Sequence, residues 1–196
     1  MATKKFTVLA FDPGLTTTGW SLLEGNTSDG ELVVLKIGEL HPGPVADHKQ
    51  YREETAKFDK RTITLALLRE ELTKLFNQIK PDFVTAEDIF INMQRPQAFS
   101  ALCMWVCTVR TLCRDVMQKY LVTIPTKICK QVVTTSGSNG KLSVQQCIAG
   151  SKHVHFKNPE DLIHMSEHQA DSIAVGIAFA VRYRDLINKQ LENNNG

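Results

Sequence analysis

The chain has 196 residues, of which 42% are hydrophobic, 22% charged and 7% aromatic. Those proportions exclude a disordered or fibrous chain and suit a single domain over 1–196, with a core of about 5–185 and a disordered tail over 189–196. The formal net charge of +2 hides a segregation: eight basic residues stand between Arg110 and Lys157 against one acid, Asp115, so the remainder is net acidic. Such an excess, spread over separate elements, suits a basic face for a polyanion as well as it suits a solvated surface. Uncharged stretches such as Ser172 to Val181 fall short of the roughly 20 apolar residues that span a bilayer. Met1 to Phe6 has no apolar block or cleavage site behind it and does not read as a signal peptide. Cysteines 103, 107, 113, 129 and 147 form no C-x-x-C pair, so reduced thiols in a cytoplasm are expected.

In chain order, Lys5 to Asp12 is an apolar, β-branched strand stopped by Pro13-Gly14. Thr17 to Glu24 and Glu31 to Leu40 complete an antiparallel meander. His41 to Asp59 reads as a loop running into a helix. Thr62 to Ile79 follows as an amphipathic helix, with Ile63, Leu67, Leu68, Leu72, Leu75, Phe76 and Ile79 at three- and four-residue spacing. Phe83 to Ala86 is a fourth strand closing at Glu87, and Asp88 to Gln97 a loop. Gln97 to Lys119 is a long apolar helix and Leu121 to Ile124 a fifth strand. Thr126 caps a short helix to Val133, Thr134 to Gly140 is a Ser/Gly loop, and Leu142 to Ala149 is helical. Gly150 to Ser166 reads as irregular and Glu167 to Asn188 as one closing helix. The sum is an α/β fold: a mixed five-stranded sheet, three strands in a meander and two parallel, flanked by helices.

Acids fall at telling places on this map. Asp12 closes the first strand and Glu87 the fourth, while His168 and Asp171 lie three apart on one helix face. Taken singly, an Asp before Pro-Gly is a turn former and a Glu after a strand is solvated. Taken together, three converging carboxylates repel, and a hard divalent cation such as Mg²⁺ or Mn²⁺ relieves that repulsion. Two such ions suit phosphodiester hydrolysis. His164, His168 and Asp171 also have the spacing of a helical zinc set, but no thiol or further His completes it; His153 and His155 read as strand or loop residues.

Four blocks carry a resemblance: F-D-P-G-L-T-T-T-G-W, V-T-A-E-D-I-F, C-K-Q-V-V-T-T-S-G-S-N-G-K and H-Q-A-D-S-I-A-V-G-I-A. In this order, from about Thr7 to Ala180, they resemble the motifs of the RuvC family of Holliday junction resolvases. The resemblance implies an RNase H-like fold, a homodimer and no membrane. It also implies Mg²⁺-dependent nicking of two symmetric strands of a four-way DNA junction, with two ions per site. By position it makes Asp12, Glu87, His168 and Asp171 the metal-binding catalytic set, where the family accepts His or Asp at the place of His168. It matches Phe90 to an aromatic contacting unstacked bases, and Lys130 and Lys141 to basic residues near the scissile phosphate, Lys141 stabilising charge in the transition state. Lys127 and Ser138 join them as DNA contacts. The Gly38 to Arg61 and Lys152 to Ser166 segments depart from the pattern, and Gln94 to Met104, which should help build the dimer, is only loosely similar.

Within the long apolar helix, Ala98, Ala101, Leu102, Trp105, Val109, Leu112 and Val116 form the stripe expected at a dimer interface or against the chain's own sheet. D-x-G-x-x-x-T-G also suits the phosphate loop of a sugar-kinase or actin-like ATPase, but those need two domains. Two more readings stay open: a different RNase H-like nuclease acting on branched DNA or structured RNA, and a non-catalytic junction-binding dimer.

Overall fold

The structure, a computed structural model, describes residues 4–28, 30–89, 96–133 and 143–193. Its elements are β1 (Lys5–Asp12), β2 (Thr18–Asn26), β3 (Leu32–Leu40), α1 (Pro42–Ala46), a 3-10 turn (Lys49–Tyr51), α2 (Arg52–Phe58), α3 (Lys60–Gln78) and β4 (Phe83–Glu87). Then come α4 (Pro96–Met117), β5 (Leu121–Ile124), α5 (Thr126–Val133), α6 (Val144–Ala149), β6 (Val154–Phe156), α7 (Pro159–His164), α8 (Glu167–Arg182) and α9 (Arg184–Asn193). The strands form one sheet in the order β5-β4-β1-β2-β3-β6. β1, β2 and β3 are the antiparallel meander, while β4 lies parallel to β1, β5 parallel to β4 and β6 parallel to β3.

Alternation along β1 splits the core in two. Phe6, Val8 and Ala10 pack with Ala170, Ile173 and Phe179 of α8. Leu9 and Phe11 face the other way, against Leu68, Leu72 and Phe76 of α3 and Trp105 and Val109 of α4. The result is a sheet between two helical layers. Trp105 is fully buried and donates its indole N–H to Thr18 Oγ1 at 2.9 Å, so the sheet side of α4 carries no unsatisfied donor there.

Three expectations need correcting. The sheet has six strands rather than five, because Val154–Phe156, inside the stretch read as irregular, adds to the edge of β3. Three residues are too few to show a period of two, and α7 follows directly after. The His41 to Asp59 segment folds as α1, a 3-10 turn and α2, none long enough to carry a helical stripe. The closing helix breaks at Tyr183: α8 ends at Arg182, and α9 runs to Asn193 into the stretch expected to be a tail. Phe179, Tyr183, Ile187 and Leu191 keep four-residue spacing across the break, which hides it in the sequence; Ile187 and Leu191 are buried, which holds α9 on the domain. On α4, Trp105, Val109 and Leu112 of the stripe pack in the chain's own core, the second of the two readings given for it, and Met104 and Cys107 face outward.

All five cysteines are free, and burial pushes the Cys113 and Cys129 thiols up to about 12. Among the described residues, no helix is long and apolar enough to cross a membrane.

Candidate active site

The site begins with strand parity. Asp12 continues the Val8–Ala10 face of β1, the face covered by α8. Phe11 pairs with Ala86, so Asp12 and Glu87 close neighbouring parallel strands side by side. Ala86 belongs to the α3–α4 side, which puts Glu87 on the α8 side with Asp12. Across the sheet Asp12 pairs with Gly19 of β2, and Gly19 with Glu39 of β3. Glu87, Asp12, Gly19 and Glu39 thus form one row beneath the start of α8.

Gly19 explains how α8 comes so close. A Cβ at this position would stand 2.1 Å from the backbone oxygen of His168 and 2.9 Å from its Cβ. Without it, the first turn of α8 rests on the strand and His168 Nδ1 reaches Asp12 Oδ2 at 2.7 Å. Ser166 caps this helix: its hydroxyl accepts from Gln169 N, and Gln169 reaches back to Ser166 N, a complete capping box.

The electrostatics show a crowded acidic site. Burial pushes the Asp12 carboxyl up to about 6; Asp171 and Glu87 push the same way, and the hydrogen bond from His168 opposes them. Asp171 is raised by burial and by Glu87, with Lys130 opposing. His168 is raised chiefly by its bond to Asp12. Its imidazole is half exposed, whereas the Asp12 side chain is 13% exposed. Glu87, Lys130 and Asp171 line one small enclosed pocket with Cys129, which brings Lys130 to the acids; Lys127 is exposed at the start of α5.

Asp12, Glu87, His168 and Asp171 therefore share one face, as the motif order predicts. Among the described residues no group of three or more His, Cys, Asp or Glu side chains is gathered closely enough to hold a metal ion as it stands. The donor set nonetheless fits a hard divalent cation: Asp171 and Glu87 raise the Asp12 carboxyl and Glu87 raises Asp171, beside an imidazole whose Nδ1 is held by a carboxylate. Phe90, Ser138 and Lys141 lie outside the described residues. The zinc alternative fails on geometry, because His164 ends α7 and shares no helix with His168 and Asp171. His155 sits on the edge strand β6, 3.7 Å from Glu31, and His153 just before it. A cavity of about 310 Å³ near the other end of α8, lined by Phe6, Leu32, Ile148 and Ile177, is mostly apolar and away from the acids.

Sequence reasoning missed Glu39, His41 and Ser166. Glu39, one residue before the end of β3, is a strand-end acid like Asp12, and that position is the signal the sequence offered.

No protein-family model and no curated protein matches the sequence. Solved structures do match the fold. Thermus thermophilus RuvC in complex with a Holliday junction substrate aligns with a TM-score of 0.64 at 12% identity, over 92% of this chain and 96% of that one. Yeast mitochondrial Holliday junction resolvase Ydc2 gives 0.64 at 14% identity, over 95% and 80%. Fowlpox virus resolvase, in complex with Holliday junction DNA, gives 0.53 at 10% identity, over 92% and 98%. The chain has the RuvC-like, RNase H-like fold.

Proposed function

We propose that this chain is a metal-dependent endonuclease that resolves four-way DNA junctions by paired symmetric nicks. The observation that carries the reading is the convergence of two strand-end carboxylates, Asp12 and Glu87, with His168 and Asp171 on one face of a RuvC-like fold. The structural neighbours named for junction DNA support the substrate class.

Mg²⁺ ions, two per site and replaceable by Mn²⁺, would be held by Asp12, Glu87, His168 and Asp171 and would supply an activated water and stabilise the leaving oxygen. The chain's own residues do the rest. Asp12 and Glu87, fixed at strand ends, give the site a rigid floor, and α8 sets His168 and Asp171 above it. Asp12 holds Nδ1 of His168, which fixes the ring. Lys130, beside the acids, offsets their repulsion of a DNA phosphate, and Lys127 on the same helix extends the basic face. Phe90 is proposed to stack on an unpaired base at the crossover, and Ser138 and Lys141 to contact the phosphate under attack, Lys141 as a catalytic residue.

Two nicks related by a two-fold axis require two sites, so the working form is a homodimer. The outward face of α4, with Met104 and Cys107, is its candidate interface. The free thiols suit a cytoplasmic setting.

A non-catalytic junction binder is disfavoured by the same acids, since clustered carboxylates repel phosphate and weaken binding unless they serve chemistry. Asp12→Asn distinguishes the two: a nuclease loses cleavage and keeps junction affinity. An unchanged cleavage rate in this variant would overturn the assignment.

A further inference from the structure

We infer that Glu39 is a positioning residue for this site, fixing the first turn of α8 through Ser166 and thereby the reach of His168 to Asp12. The inference rests on the nuclease reading for its functional consequence, but its geometry stands apart from it. The Ser166 hydroxyl donates to Glu39 Oε1. The same hydroxyl accepts from Gln169 N at 3.2 Å, so one side chain both caps α8 and ties it to β3. A serine hydroxyl has one proton and two lone pairs, and both roles are filled at once.

Glu39 is itself held from the other side. His41 Nε2 lies 3.2 Å from Glu39 Oε2, and His41 Nδ1 lies 3.4 Å from Thr17 Oγ1, in the turn between β1 and β2. The Glu39 side chain is 19% exposed, so its partners rather than water set its rotamer. Thr17, His41, Glu39 and Ser166 thus bridge the three segments that frame the acids. Gly19, between Asp12 and Glu39 in the same row, leaves only backbone contact there, so Glu39 is the side chain that, with Asp12 on the other side of Gly19, can locate the helix along the row. Its carboxylate also stands at the N-terminal end of α8, where negative charge is favoured.

A tie of this kind acts by geometry, and substitution separates geometry from charge. Glu39→Gln keeps an acceptor for the Ser166 hydroxyl and loses the charge; Glu39→Ala loses both; Ser166→Ala keeps the charge and loses the tie. The experiment measures single-turnover cleavage of a synthetic four-way junction with Mg²⁺, junction Kd without metal, and the hydrogen-bonded Nδ1–H signal of His168 by ¹⁵N NMR. Glu39→Ala and Ser166→Ala are expected to slow cleavage about 10–100-fold with Kd changed by less than about twofold, as outer partners of catalytic ligands do. Both should lose the Nδ1–H signal, while Glu39→Gln keeps it and cleaves within about threefold of wild type. The inference is overturned if the Ala variants cleave at the wild-type rate and retain the signal, or if Glu39→Gln is as impaired as Glu39→Ala. Should the wild-type chain cut no branched DNA, the nuclease reading falls, and the NMR signal alone decides the positioning. Should Glu39→Ala fail to fold, Ser166→Ala decides it.

Discussion

Asp12 is the residue at which stability and the proposed activity oppose each other. Its carboxyl is raised from 3.8 to about 6, so between those values the native chain binds more protons than the unfolded one. The stability owed to that group is therefore full below about 4 and falls as pH rises towards 6. His168 tilts the curve in the same direction, since a raised imidazole stabilises below 6.5 and loses that contribution above its folded value. Asp12→Asn is thus expected to abolish cleavage while raising stability at pH 7 by on the order of 1–2 kcal/mol, with no gain at pH 4. Thermal melts across that range check it. The same variant is expected to bind junctions at least as tightly as wild type. A ligating His168 must be neutral, so cleavage should fall as pH drops through its raised pKa, and His168→Asp should flatten that acid limb in a pH–rate profile. Unchanged pH dependence in that variant would remove His168 from the ligand set.

At the scale of elements, the approach of α8 to β2 is the decisive packing event. Gly19→Ala places a methyl against the His168 backbone oxygen, which no side-chain rotation can relieve. It is expected to cost about 1–3 kcal/mol in denaturant unfolding and to impair cleavage beyond what the reduced stability explains. A neutral Gly19→Ala would contradict the contact. The outward face of α4 makes the second prediction here. On the proposed homodimer, Met104→Glu should shift the chain from dimer to monomer in sedimentation velocity at micromolar concentration, because it sets a charge on the face proposed to pair; an unshifted dimer would exclude this face. The elements that the sequence revealed are those with strong patterns: the buried strand into Pro13-Gly14, the leucine stripe of α3 and the apolar α4. The placing of Asp12 and Glu87 at neighbouring strand ends and of His168 and Asp171 on one helix was legible too, because strand boundaries and a three-residue helical spacing locate them. β6 was not, being three residues long, nor was the bend at Tyr183, where apolar spacing runs on unbroken. Glu39 escaped because its role depends on register between β2 and β3, and register is not written in one strand alone.

For the whole molecule, the acids at one end of the sheet lie beside a helix carrying Lys127 and Lys130, and in the proposed function this arrangement sets how binding and cleavage divide. Lys127→Ala and Lys130→Ala together should weaken junction binding and lower the dependence of log Kd on log salt by roughly 0.9 for each phosphate no longer neutralised. Lys130→Ala should in addition slow cleavage, since it stands by Asp171 and Lys127 does not line that pocket. The most direct measurement is cleavage of a synthetic four-way junction beside linear, Y-shaped and three-way DNAs and a structured RNA, with Mg²⁺ and with EDTA. The account predicts paired nicks at symmetric positions in the four-way junction, dependent on Mg²⁺ and absent in Asp12→Asn, with little cutting of linear duplex. Junction binding with no cleavage under either Mg²⁺ or Mn²⁺, or equal cutting of linear duplex or RNA, would contradict it.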